Sequence, residues 1–366
     1  KSKIVNIPTF KLNNGIEIPA LGYGTWLGLD DKVMEDAPKL AETMAHAIDI
    51  GYRHIDTAHL YRVEPEVGQV VRRKIDEGVV KREDIFITTK VWHHNHREAD
   101  VEASVRASLR RMGLDYVDLA LMHWPMSISE EGVDEKIDYL ETWRGFETVL
   151  QKGLAKSIGV SNFNLDQMKR LLENCKVVPA TNQIEVNLNL GQNELVSYCQ
   201  AKGVLVVGFT AFGRMVDGRA GPDSPEPKLD NPTMVAMGKK YGKTVTQIAL
   251  RYLVERALEN ASIFDFELST DDMATLAKFD IGYRTVRPIF WQHYQNYPLE
   301  KVSEQIPEIP LSLRKWKNDV LRAPRLEEVG GWCILPLEGE VRVVLPEGGP
   351  NHAVVSVKFT CNQVIK

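Results

Sequence analysis

Four side chains in this sequence are of the kinds that together move a proton onto a carbonyl oxygen: Asp56, Tyr61, Lys90 and His123. Three close or follow short apolar runs, HIDT (His54–Thr57), IFITTK (Ile85–Lys90) and VDLALMH (Val117–His123), and Tyr61 stands shortly after the first. Singly, each has a bland reading: a strand-end cap, a core phenol with a wet hydroxyl, a solvated ammonium, a satisfied structural imidazole. Together they form an acid site. Tyrosine, with an ordinary pKa of about 10, is a poor proton donor at neutral pH, and a neighbouring ammonium is expected to lower that value. An aspartate paired to the lysine would hold the ammonium in place, and a histidine could hydrogen-bond the same carbonyl oxygen. That chemistry is general acid catalysis with stabilisation of a developing alkoxide.

The elements that must carry these residues repeat. Further short strands are expected at Ala155–Val160, Ala180–Val186 and Val204–Phe209. Between the strands, Val101–Met112, Tyr139–Gln151, Leu165–Asn174 and Thr244–Glu255 place apolar residues at helical spacing. Gly113, Gly153 and Gly203 follow helical stretches, as C-terminal caps would. This alternation predicts βαβ units and a parallel sheet. No GxGxxG follows the first strand, and Gly22–Gly28 (GYGTWLG) has the wrong spacing for a dinucleotide fingerprint. A closed α/β barrel, a (β/α)8 TIM barrel, is therefore favoured over an open doubly wound sheet. In a barrel, chemistry sits at the carboxyl ends of the strands, which selects Asp56, Lys90, His123, Ser161–Asn162, Gln183 and Phe209–Thr210. Ahead of the repeat, Asn14-Gly15 between two short alternating runs predicts an N-terminal β-hairpin with a two-residue turn.

The chain of 366 residues can bury a large core, and a net charge of −5 offers no phosphate-neutralising surface, so nucleic acid is not an expected partner. The longest apolar runs fall far short of the roughly 18 residues a bilayer span needs, and KSKIVNIPTF has no apolar run of signal-peptide length. Cys175, Cys199, Cys333 and Cys361 form no CxxC pair. A reducing, cytoplasmic setting and a monomer are expected, with no membrane partner.

The segments DTAHLYRVEPEVG (Asp56–Gly68), TTKVW (Thr88–Trp92), LMHWP (Leu121–Pro125), GVSNF (Gly159–Phe163) and NQIEVN (Asn182–Asn187) resemble, in order and spacing, the aldo-keto reductases. The resemblance covers roughly residues 5–300 and is nearest to insect members. It implies a barrel closed at its bottom by the N-terminal hairpin, NADPH (NADP+) bound without a Rossmann fold, and reduction of an aldehyde or ketone. By motif, Tyr61 is the acid, Lys90 and Asp56 tune it and His123 orients the carbonyl. Ser161, Asn162 and Gln183 hold the nicotinamide carboxamide, and Thr25, Asp56, Phe209, Thr210, Phe212, Gly213, Glu259 and Asn260 complete the cofactor set. Trp26, Trp92 and Trp124 match positions lining an apolar substrate pocket. The aromatic stretch Arg287–Pro298, with Phe290 and Trp291, falls where the family's C-terminal loop covers the substrate, which suggests a bulky apolar carbonyl: a steroid-like ketone such as a 3-oxo-ecdysteroid, or a lipid aldehyde.

The sequence departs from the pattern in three places. FTAFG (Phe209–Gly213) has Phe where the family stacks a Tyr on nicotinamide, which keeps the π face. Val63 replaces a frequent Asn. After Thr246–Arg256 the strand and loop resembling GVVVIPKSxxxxR are missing, and with them the eighth strand and the Lys/Ser/Arg cluster for the 2′-phosphate. A segment absent from this sequence, a splice or engineered form with damaged cofactor binding, or replacement by another stretch would each account for this. Val341–Leu345 (VRVVL) is the candidate replacement, since a seven-stranded barrel would expose two ladder edges. A catalytically impaired, nucleotide-binding or regulatory barrel is the alternative function, and a structural role on the same barrel a third. Residues 1–309 are expected to form the barrel and 310–366 an extension without a family counterpart, with a helical pattern at Arg314–Arg325 and strand-like alternation at Val341–Leu345 and Ala353–Thr360. The histidines of Trp92–His96 are adjacent on a loop and are not read as metal ligands. Ser127–Asp138 is a candidate pocket rim.

Overall fold

The computed structural model describes residues 7–28, 33–215, 223–257, 266–302 and 355–357. Its first elements are the antiparallel strands β1 (Thr9–Lys11) and β2 (Glu17–Pro19). Between them the Leu12 N–H donates to the Ile16 carbonyl at 2.8 Å and the Gly15 N–H to that of Leu12 at 2.9 Å. The loop is thus the three residues Asn13–Gly15, not the two-residue turn expected from Asn-Gly. Gly15, at φ 88°, takes the left-handed position that lets a type I turn end in a bulge. The Asn14 amide donates to the Lys156 carbonyl and the Ser157 hydroxyl, and that of Asn13 to the Pro179 carbonyl. These contacts seat the hairpin against the amino ends of barrel strands, where Leu12 and Ile18 pack on Phe86, Leu119, Leu121 and Ala180.

The alternation that follows is β3 (Leu21–Gly24), α1 (Val33–Ile50), β4 (His54–Asp56), α2 (Glu64–Asp76), β5 (Phe86–Val91), α3 (Glu98–Met112), β6 (Val117–Met122), α4 (Tyr139–Gln151), β7 (Ala155–Ser161), α5 (Leu165–Asn174), β8 (Thr181–Glu185), α6 (Asn193–Ala201) and β9 (Leu205–Phe209). The helices α7 (Pro232–Tyr241), α8 (Val245–Ala257) and α9 (Thr270–Ala277) come next. Strands β3 to β9 pair in chain order, every pair parallel. Both β5 and β6 are buried at every position, as strands covered on both faces must be. Gly113 ends α3 at φ 64°, and Asn164 and Gln167 form a reciprocal capping box on α5. The Gln183 side-chain amide on β8 donates to the Asp56 carboxylate on β4 at 2.7 Å. These strands stand four places apart in the sheet, so only a sheet curled on itself can join them. The architecture is the (β/α)8 barrel.

The eighth position is filled from an unexpected part of the chain. Strand β10 (Val355–Val357) pairs parallel with β3, Val355 opposite Leu21 and Val357 opposite Tyr23. Its Cα atoms also come within 8 Å of β9, but among the described residues no ladder joins the two, and these residues curl round without full hydrogen-bonded closure. The strand lies inside Ala353–Thr360, one of the two expected C-terminal strands; Val341–Leu345, proposed for this place, lies outside the described residues, as does Arg314–Arg325. Among the described residues no strand follows α8 directly.

Deleting residues 351–366 exposes the ladder groups of β3 and is expected to lower the thermal midpoint and promote association. Ser356→Pro, which removes one backbone donor within the strand, should act in the same direction. Thermal unfolding with light scattering checks both, and an unchanged midpoint in both variants counts against β10 as a barrel strand.

Candidate active site

The site begins with a buried ion pair. Lys90 projects from β5 and Asp56 from the end of β4, with Nζ 2.6 Å from Oδ1 and both side chains wholly inaccessible. A second Nζ hydrogen goes to the Thr57 carbonyl at 2.9 Å. Tyr61 lies in the short 3₁₀ turn His59–Tyr61 that leaves β4, and it is buried. Its ring centroid is 4.9 Å from the Lys90 ammonium. His123, immediately after β6, sets its ring edge-on to that of Tyr61 at 5.8 Å. The structure thus brings all four predicted residues together.

One expectation is reversed. Burial, followed by the negative charge of Asp56, pushes the Tyr61 phenol well above its ordinary pKa rather than below it. The reason is the packed surroundings: desolvation of a phenolate is the larger cost, and the nearby Asp56 charge adds to it.

The predicted cofactor residues gather beside this cluster. Ser161 Oγ and the Asn162 N–H both donate to the Gln183 carbonyl, at 2.8 and 2.9 Å, and the Asn162 amide donates to the His123 carbonyl at 2.9 Å. Thr25 donates to the Asp56 carbonyl through its N–H and its hydroxyl. Phe209 ends β9, and Thr210, Phe212 and Gly213 follow it, all buried or nearly so. Asn162 (φ 63°) and Thr210 (φ 53°) are left-handed; for a β-branched residue this is strained backbone of the kind that collects at functional sites. Gln183 Oε1 is buried and has no hydrogen-bond partner, an acceptor facing inward among these donors. Glu259 and Asn260 lie outside the described residues.

The five predicted substrate residues form one aromatic chain. Trp26 lies 5.0 Å from Tyr61, Trp92 5.0 Å from His123, Trp291 6.0 Å from Trp92 and 6.4 Å from Trp124, and Phe290 4.9 Å from Trp291. The loop carrying Trp291 is fixed by residues the sequence did not single out. Glu185, buried at the end of β8, accepts from the N–H groups of Thr285 and Val286. The rim loop receives the other side: Tyr294 Oη donates to the Gly132 carbonyl, and the Gln295 N–H to Asp134. Glu185 stands inside the motif NQIEVN, so its place was visible, but its partners lie about a hundred residues away. Asn164 and Gln167 on α5 donate to the Pro298 and Asn296 carbonyls. His93 Nδ1 donates to the Met126 carbonyl, and its ring packs on Trp291 at 4.5 Å. Among the described residues no three His, Cys, Asp or Glu side chains converge as a metal site would require.

A parallel barrel with a buried Lys–Asp pair against a tyrosine at the carboxyl ends of its strands has the layout of a barrel enzyme. The chain belongs to the aldo/keto reductase family, whose model matches residues 20–281. That makes it an NADP-dependent oxidoreductase acting on carbonyl groups. It is 40% identical over 307 residues to aldo-keto reductase AKR2E4 of Bombyx mori, covering 80% of this chain and 99% of the relative. It is 37% identical over 314 residues to a rat 3-alpha-hydroxysteroid dehydrogenase, covering 78% of this chain and 96% of that one. Among solved structures, aldo-keto reductase AKR2E5 complexed with NADPH matches with a TM-score of 0.81 and 67% identity, covering 86% of this chain and 99% of that one. The AKR2E4 complex with NADP matches with a TM-score of 0.76 and 39% identity, covering 81% and 100%. Among the described residues no helix is long and apolar enough to cross a membrane.

Burial also lowers the histidines around the site: His54 to about 4, His59 and His96 to about 3. These are neutral in the folded chain while the unfolded chain protonates near 6.5. Their contribution is therefore complete above pH 6.5 and is lost as pH falls from there, towards about 4 for His54 and about 3 for His59 and His96, at about 1.4 kcal/mol per pH unit for each. Denaturant unfolding across that window should show stability falling with pH, and His96→Gln should flatten the slope.

Proposed function

We propose that this chain reduces a bulky, apolar aldehyde or ketone to the alcohol with NADPH, Tyr61 supplying the proton. The observation that carries the reading is the inaccessible Lys90–Asp56 pair set against the Tyr61 ring, with the His123 ring edge-on to that ring at 5.8 Å. A buried charge pair is costly to assemble, and packing alone would be served as well by apolar side chains.

The residues fit the nicotinamide end of the dinucleotide. Gln183 Oε1 is an unused acceptor suited to a carboxamide N–H, Ser161 and Asn162 flank it, and Phe209 and Phe212 supply π faces near the strand ends. When bound, the reduced dinucleotide supplies two electrons and a hydrogen to the carbonyl carbon. The chain does the rest. Trp26, Trp92, Trp124, Phe290 and Trp291 exclude water and hold the apolar body of the substrate. His123 orients the carbonyl oxygen towards Tyr61 Oη. The phenol, held neutral by burial, keeps its proton across the physiological range, and it gives that proton up only as alkoxide character develops, because an alkoxide is far more basic than a phenolate. The Lys90 ammonium stabilises the tyrosinate left behind. That the four groups assemble with the ion pair intact disfavours the non-catalytic alternative. The same reading takes the protein as a cytoplasmic monomer.

Tyr61→Phe is expected to lower turnover by about 10²–10⁴-fold, the usual worth of a positioned acid, while NADPH binding followed by fluorescence quenching stays close to that of the unaltered protein. Unchanged turnover removes Tyr61 from the mechanism. For substrate class, kcat/KM for a steroid-like ketone should exceed that for a small polar aldehyde, and Trp291→Ala should narrow the difference. A preference for the small aldehyde rejects the bulky-substrate reading.

A further inference from the structure

The hydrogen bond from Gln183 to Asp56 crosses the barrel mouth between strands that are not neighbours, and it ties two functions that are otherwise separate. The Asp56 carboxylate receives Lys90 Nζ on Oδ1 and Gln183 Nε2 on Oδ2, at 2.6 and 2.7 Å. The two donors fix the rotation of the carboxylate and hence the place of the ammonium, which the Thr57 carbonyl holds from another direction. Gln183 is itself fixed, because its carbonyl takes the Ser161 hydroxyl and the Asn162 N–H. With Nε2 committed to Asp56, the free end of the amide is Oε1, buried and without a partner.

We propose that Gln183 is a positioning residue for the Asp56–Lys90 pair, acting through Asp56, so that one side chain sets both the seat of the nicotinamide carboxamide and the direction of the ammonium towards Tyr61. The proposal rests on the reading of Tyr61 as the acid. Without the Nε2 donor the carboxylate can turn both oxygens to Lys90. The pair then tightens, less positive field reaches Tyr61, and its phenolate is harder to form.

Gln183→Met keeps the length and removes both polar atoms. A residue serving the cofactor alone would raise the NADPH dissociation constant and leave kcat at saturating NADPH unchanged. A positioning residue should also lower that saturated kcat by about tenfold, the scale of one lost hydrogen bond to a charged group, and move the basic limb of its pH profile upward. A second measurement needs no turnover. In cofactor-free protein labelled with 15N-glutamine, the side-chain amide pair that shifts on adding NADP+ should already be protected from solvent exchange, and Asp56→Asn should displace it. A saturated kcat and pH profile like those of the unaltered protein, or an amide pair that exchanges freely and ignores Asp56→Asn, overturns the proposal. If the unaltered protein shows no NADPH-dependent turnover, the reductase reading fails, and the labelled-glutamine measurement, with the amide pair then identified by its absence from Gln183→Met, still decides whether Gln183 holds Asp56.

Discussion

An ammonium and a carboxylate, both shut away from water, meet at the carboxyl ends of β4 and β5, and the rest of the site is arranged around that pair. Removing two charges from solvent costs several kcal/mol for each, and their attraction offsets this only when their remaining hydrogen-bonding capacity is filled. Here Lys90 gives hydrogens to Asp56 and to the Thr57 carbonyl, and each Asp56 oxygen accepts one, from Lys90 and from Gln183. The consequences reach Tyr61, whose phenol stays protonated because burial dominates and the Asp56 charge adds to it. They also reach β8, which must curl round the barrel to deliver Gln183.

Above this floor stands an aromatic enclosure whose outermost piece comes from a loop distant in sequence. Trp291 does not reach the pocket by secondary structure; it is brought there by hydrogen bonds from the ends of its loop to Glu185, Gly132 and Asp134. The loop is thereby held before any substrate arrives, which reduces the ordering cost of binding. The barrel itself carries a comparable long-range dependence. The slot beside β3 is taken by a strand about eighty residues beyond α9, and among the described residues it pairs on that side only. The family motifs from Asp56 to Asn187 stand in order, with Val63 their one departure, whereas the position between β9 and β3 is met by an improvised element.

Taken alone, the sequence determined the barrel class and nearly every element bearing the site. It could do so because period-2 and period-3.6 patterns are local, and because a parallel barrel sends its chemistry to one end of each strand. Asp56, Lys90, His123, Ser161 and Gln183 were legible as strand-end polar residues before any contact was known, and Asn14-Gly15 marked the hairpin although the loop proved one residue longer. Three things were settled only in three dimensions. The direction of the Tyr61 shift depends on how completely its surroundings exclude water and on how near the Asp56 charge lies, and both belong to the packed environment and not to any spacing. The Gln183–Asp56 contact, across 127 residues, exists because the sheet curls. The identity of the eighth strand followed from which segment could pair with β3, a competition between two alternating runs that local pattern leaves undecided.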